Sequence, residues 1–296
     1  MSRPSLFTSL AAFVALAACA LPAPVGADDV LPLDPVSQGW NAPVAPFAIA
    51  DSLYYVGAAD VTAYLFVTDE GLVLLDGGFV QTAAQVAANI ETLGFDIRQI
   101  RYIITSQAHY DHVGAVPELR RRSGATVVMS AEDAALAARG GRGDFAFGDR
   151  FYYPSFTADR LIADGEALSL GGVTLTAHVT PGHTRGCTTW TADVVVDGMS
   201  RAAMFVCGVS FPGFDLVDNP HYPNIEQDFL RTYDRLGQMR CDVFLAAHGG
   251  MFGLTEKRER LLAGDRNAFV DAEGCRNLID RTRAQFEREV ERQRAS

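Results

Sequence analysis

Lysine is all but missing from this chain: Lys257 stands alone among 25 basic residues, which reads as codon bias rather than as a site. Positive charge is scarce in general. Against 36 acidic side chains the formal net charge is −11, which argues against a polyanion such as nucleic acid as partner. No two cysteines stand in a C-x-x-C pair, so a zinc ribbon is excluded. There is no internal repeat and no low-complexity linker. Beyond the N-terminus no stretch is long and apolar enough to span a bilayer. What is present is 296 residues, 48% of them hydrophobic, enough to bury a sizeable core.

At the N-terminus Arg3 precedes "LFTSLAAFVALAACALPAPVGA", about the length of a signal-peptide core and too short for a good membrane span. The small residues Val25-Gly26-Ala27 suit cleavage before Asp28, which makes 1–27 a signal peptide and 28–296 the folded domain. A second exit exists. "LAAC" (16–19) resembles a lipobox, whose cleavage would leave Cys19 as a lipidated first residue, although Cys19 also fits as a small apolar member of the signal core. Both readings export the chain, to the periplasm. An oxidising compartment permits disulfides among the four remaining cysteines, Cys187, Cys207, Cys241 and Cys275.

Residues 52–79, "SLYYVGAADVTAYLFVTDEGLVLLDGGF", alternate β-branched and aromatic side chains around a turn at Asp69-Glu70-Gly71, a run of strands. "QTAAQVAANIETLGF" (81–95) reads as an amphipathic helix closed by Gly94. A short buried strand at 102–105 follows, then a helix in "AVPELRRRSG" and a strand in "ATVVMS". After a broken, glycine-rich region (139–158) come the strands "EALSLGGVTLTAHVTPGH", "CTTWTADVVVDG" and "RAAMFVCGVSF". A helix in "IEQDFLRTYDRLGQM", the strand "DVFLAAH" and a charged helix over 256–263 and 266–292 close the chain. This order predicts two β-sheets with helices on the outer faces, packed as one α/β domain. Cys187 and Cys207 flank a hairpin turning near Asp197-Gly198, and its register makes them cross-strand neighbours. The expected state of the two is a pair of buried free thiols.

Histidine is sparse but patterned. Of His109, His112, His178, His183, His221 and His248, three stand at the ends of apolar strands, in "ITSQAH", "HVTPGH" and "FLAAH". Strand C-terminal edges are where separate segments converge on one crevice. His109, His112, His183 and His248 with Asp111 thus supply five imidazole or carboxylate donors to one place, enough for zinc. More than four such donors point to two adjacent metals. His178 and His221 lack this setting and read as structural, and Tyr110, between ligands, reads as packing.

"SQAHYDHVG", "TPGHT" and "AAHGG" resemble the H-x-H-x-D-H, GH and final-His motifs of the metallo-β-lactamase superfamily, over nearly the whole chain after the signal. "VLLDGGF", "LAARGGRGDFAFGD", "TAHVTPGHTRGCTTW", "SFPGFDLVDNPHYPN" and "CDVFLAAHGG" resemble the third subclass of class B β-lactamases. The resemblance implies an αββα sandwich with a zinc site at one edge of its sheets. It implies a first zinc site at Gln107, His109 and His183, and a second at Asp111, His112 and His248. The implied activity is zinc-dependent opening of the β-lactam ring of penicillins, cephalosporins and carbapenems by a metal-bound hydroxide, with Asp111 orienting the nucleophile. The implied partner is a small-molecule β-lactam, acted on by a monomer.

Three positions depart from the family or refine it. Gln107 stands where histidine is usual; a glutamine carbonyl is a neutral, weaker zinc donor, so one or two ions are expected. Gly208 stands where relatives acting on thioesters and lactones have a bridging aspartate, and where this subclass usually has a serine near the second metal or substrate. Ser210 matches a serine that helps hold the β-lactam carboxylate, and equally suits an ordinary turn hydroxyl in "SFPGF". By the same resemblance Cys241 and Cys275 form a disulfide, worth roughly 3–4 kcal/mol in the chain-entropy model. Two other readings stand beside the main one: a metallo-hydrolase of the same fold acting on a lactone or thioester, and a non-catalytic exported protein with a degraded metal site.

Overall fold

A computed structural model describes Gly26 and residues 29–296; apart from Gly26, the expected signal peptide with its lipobox Cys19 lies outside the described residues. The chain opens on α1 (Pro35–Trp40), capped by the Asp34 carboxylate, which accepts from the Val36 and Ser37 amides. Then come β1 (Phe47–Ala50), β2 (Leu53–Tyr55), β3 (Tyr64–Thr68), β4 (Gly71–Leu75), α2 (Ala83–Thr92) and β5 (Ile100–Ile104). They are followed by α3 (Tyr110–Val113), α4 (Val116–Ser123), β6 (Thr126–Met129), α5 (Ala131–Ala137) and β7 (Arg160–Leu161). The second half holds β8 (Ala167–Leu170), β9 (Val173–Val179), β10 (Thr188–Val196), β11 (Met199–Val206) and α6 (Ile225–Gln238). It ends with β12 (Val243–Ala246), α7 (Gly249–Phe252), α8 (Leu254–Leu262) and α9 (Ala272–Arg294).

β1 to β7 form one sheet in chain order, antiparallel as far as β4 and parallel beyond it. The other sheet runs β12-β11-β10-β9-β8, with only β11 and β12 parallel. Alternation along β4 shows the layering. Val73 and Leu75 join the core facing the second sheet, with Phe66, Ile104, Trp190 and Phe205, while Leu72 and Leu74 join Val86, Ile90 and Leu119 beneath α2 and α4. On the far side α6 and α9 pack together through Phe229, Tyr233 and Phe286. The expected αββα order is what the chain adopts. The four short helices α1, α3, α5 and α7 were not anticipated, because one or two turns leave too few residues for a period to show.

Cys241–Cys275 are bonded, tying the approach to β12 onto α9. Cys187 and Cys207 are bonded as well, which corrects the free thiols expected of them. The ladder does pair Val196 with Met199 as the register required, but its last pair is Trp190 with Phe205. Beyond that pair the two cysteines approach diagonally to a Cα separation of 5.9 Å, within disulfide reach.

The single lysine is buried. Lys257 lies 2.8 Å from Asp271 and over the rings of Phe244 and Phe252. Burial lowers its pKa against the pull of Asp271. Asp271 is a third exposed and also caps α9 by accepting from the Gly274 amide. Removing the acid strands a buried ammonium and uncaps a helix, whereas removing the lysine leaves a carboxylate with access to water. Asp271→Ala is therefore expected to cost about 3 kcal/mol and Lys257→Met about 1 kcal/mol. Urea denaturation checks the order, and equal losses would refute the account.

Candidate metal centre

The predicted ligands converge at one edge of the paired sheets. Asp111 and His112 sit on the single turn α3 after β5, His183 on the β9–β10 loop, and His248 directly after β12. Asp111 Oδ2, His112 Nε2 and His248 Nε2 lie 3.5, 3.4 and 3.2 Å apart, pair by pair. A tetrahedral ion with bonds of 2.0–2.1 Å sets its donors about 3.3–3.4 Å from one another. The three atoms therefore stand at the spacing of ligands around an ion.

The remaining ring nitrogens explain why those lone pairs face inward. His248 Nδ1 donates to Asp60 Oδ2 at 2.7 Å, and Asp60 is fixed in turn by the Gly250 amide. His112 Nδ1 faces Asp76 Oδ2 at 3.6 Å; Asp76 accepts from the amide and hydroxyl of Ser106. An acceptor at one nitrogen leaves the other unprotonated and fit to ligate. Two lone pairs 3.2 Å apart need a cation between them. A proton competes for that place: burial opposes charge on His248, but Asp111 and Asp60 outweigh it and raise the pKa to about 10. Asp111, despite burial, is held well below the usual carboxylate range by His112 and His248.

None of the other three expected ligands is a carboxylate. His109 and His183 meet edge to face, ring centroids 4.9 Å apart. His109 Nε2 faces Asp144 Oδ2 at 3.5 Å, while His183 Nδ1 donates to the Ser210 carbonyl at 2.7 Å. Each ring thus keeps one nitrogen, Nδ1 of His109 and Nε2 of His183, for a ligand. Burial and the nearby His109 push the His183 pKa down to about 3, keeping it neutral. Gln107 is fully buried, and neither atom of its amide has a partner. An unsatisfied buried polar group costs about 1–3 kcal/mol, so the amide is placed for something other than packing.

Gly208 is buried, with the His183 ring against the space its missing side chain would fill: a Cβ there would stand 2.4 Å from that ring. Ser210 is exposed and offers its carbonyl, not its hydroxyl, to His183. Tyr110 stacks on Phe151 and meets Ser37 through its hydroxyl. His178 lies apart from the centre, bonded to Thr191 and Arg235, and His221 is exposed. Trp40, edge-on to the His248 ring, was not anticipated, nor were Asp60, Asp76 and Asp144.

The residues fit a metal. Asp76, Asp111 and Asp144 are buried, and among the described residues their ion pairs are all with histidine, so the wall is short of positive charge. Comparison with known proteins agrees. The model of the metallo-β-lactamase superfamily matches residues 56–196. A metallo-β-lactamase of Cronobacter sakazakii, described by its HARLDQ motif, is 39% identical at a TM-score of 0.86, over 88% of this chain and 100% of that one. The chain belongs to the metallo-β-lactamase superfamily. It is similar also to FEZ-1 of Legionella gormanii, at 37% identity and a TM-score of 0.85 over 86% of this chain and 99% of that one. BJP-1 of Bradyrhizobium japonicum, a subclass B3 metallo-β-lactamase, is 31% identical at a TM-score of 0.82, over 87% and 98%. Among curated proteins, a probable metallo-hydrolase of Burkholderia pseudomallei is 31% identical over 109 residues, 37% of this chain and 36% of that one. The alignment therefore spans little more than a third of that curated relative. As a metallo-β-lactamase superfamily member the chain is a hydrolase with the superfamily's two-sheet fold, in a single domain.

Proposed function

We propose that this superfamily member hydrolyses the β-lactam ring of penicillins, cephalosporins and carbapenems, so conferring resistance to them, with zinc as its metal. The observation that carries the metal is the set of three donor atoms, Asp111 Oδ2, His112 Nε2 and His248 Nε2, spaced 3.2 to 3.5 Å apart. The β-lactam substrate rests on similarity to proteins described as β-lactamases over almost their whole length.

Asp111, His112 and His248 would hold one zinc, and Gln107, His109 and His183 a second, weaker one. Zinc bound there supplies a Lewis acid that polarises a carbonyl and lowers the pKa of water. The protein's own part is orientation. Hydrogen bonds to Asp60 and the Ser210 carbonyl would fix the His248 and His183 rings. The charges of Asp76 and Asp144, at 3.6 and 3.5 Å, would favour the same orientation of His112 and His109. Asp111, ionised across the working range, would orient the attacking water through its carboxylate. Phe147 and Phe214 close the flank beside His109 and His183 and keep bulk water out. Ser210, which is exposed, would meet the substrate carboxylate through its hydroxyl.

Residues 1–27 would act as an export signal, leaving 28–296 to fold in the periplasm. Two disulfides support an oxidising compartment, and no helix among the described residues is long and apolar enough to cross a membrane.

Hydrolysis of one penicillin, one cephalosporin and one carbapenem, with and without a zinc chelator, tests the reading. Ring opening that the chelator abolishes and zinc restores is expected. Absence of turnover on all three with zinc present would overturn it, and lactone and thioester substrates would then be tried.

A further inference from the structure

The ligands of the first group come from two loops far apart in sequence, and one buried acid touches both. Asp133 lies in the first turn of α5, 2% exposed. Its Oδ2 accepts from the Ala108 amide at 2.9 Å and from the Thr184 hydroxyl at 3.0 Å; its Oδ1 accepts from the Gly186 amide at 3.0 Å. Ala108 stands between Gln107 and His109, and its carbonyl is held by the Tyr153 hydroxyl at 2.6 Å. Both peptide planes between the two ligands are therefore fixed by buried side chains. Thr184 follows His183 directly. Gly186 is pressed onto the start of α5, where a Cβ would meet Ser130 Oγ at 2.3 Å, and that hydroxyl donates to the Gly186 carbonyl.

We propose that Asp133 is the positioning residue of the first metal site, holding the Gln107–His109 loop and the His183 loop in the register that lets one ion meet both. This rests on the reading of Gln107, His109 and His183 as metal donors. Three neutral donors bind loosely unless their geometry is set beforehand, so this site depends on its supporting acid more than the Asp111 site does. Asp133 bonds Ala108, Thr184 and Gly186 but no residue of α3 or of the His248 segment, so the effect is expected to fall mainly on one site. In Asp133→Asn the amide nitrogen must face at least one of the three donors, which pushes the two loops apart without emptying the space. Thr184→Val removes a single donor and leaves the acid in place.

Zinc titration of the mature protein, with metal content after dialysis and far-ultraviolet circular dichroism, separates the sites. The D133N variant is expected to lose about 10- to 100-fold in affinity at the weaker site, with the tighter site and the spectrum unchanged. T184V is expected to shift the same site by less. Wild-type binding at both sites in D133N and T184V overturns the proposal, and so does equal weakening of both sites, which marks a general structural role. His109→Ala runs alongside. If it leaves the weaker site as it was, the donor reading falls and the inference with it. If it abolishes that site while D133N and T184V do not weaken it, only the inference falls.

Discussion

Asp111→Asn lowers kcat/KM for a β-lactam about 10³-fold or more, roughly 4 kcal/mol of lost transition-state stabilisation. The substitution keeps size and shape, so the loss is one of charge and basicity. Among the described residues Asp111 is the only carboxylate whose oxygen lies at donor spacing from both His112 and His248. Asparagine leaves that site with two imidazoles and an amide, the same neutral donor set that Gln107, His109 and His183 already provide. Its affinity should fall toward theirs. Burial opposes charge on His248, and Asp111 together with Asp60 outweighs it, so the variant lowers the His248 pKa as well as the metal affinity. Steady-state kinetics with metal analysis checks this, alongside a melting curve to show the fold intact. Activity within tenfold of wild type would remove Asp111 from the mechanism.

The second large effect runs the other way. Gln107→His is expected to raise zinc affinity at the first site about 100-fold, since imidazole is the stronger donor. Little is lost in exchange, because the Gln107 amide has no hydrogen-bond partner to give up. The imidazole brings its own two polar nitrogens to the same buried place, so a gain in stability is expected only with metal bound. Competition with a chromophoric chelator reads the affinity, and thermal melting reads the stability. An unchanged affinity would mean that Gln107 is not a ligand in the parent protein. It would also leave its orphaned amide without a physical account.

Much of the centre was legible because its candidate ligands obey a local rule. His183 and His248 end apolar segments, and His109 follows one within a few residues, so chain order alone carried them to a common edge. The acids that orient those histidines were not read, for reasons particular to each. Asp76 ends β4 just as the histidines end their strands, in "VLLDGG", but only histidines were being sought there. Asp133 looks like any acid in the first turn of a helix, where charge complements the dipole. Asp60 and Asp144 lie in irregular segments, where no period marks a side chain as buried. The Cys187–Cys207 bond was missed for a different reason. Register predicts which residues lie opposite, and this pair joins diagonally past the end of its ladder. Lys257 carries the same lesson: rarity suggested codon usage, but only packing shows that the one lysine is enclosed with an acid and two rings.

His248 follows β12, so the last donor arrives after every other strand has been made. Until that final strand docks beside β11, Asp111 and His112 have no third partner. Which metal the protein acquires is then decided late and by location. Nitrogen and oxygen donors favour copper over zinc on intrinsic affinity, so the ion trapped is expected to reflect what is available where the chain finishes folding. Refolding the same polypeptide in buffers of different metal content should give preparations that differ in their ion while sharing one fold.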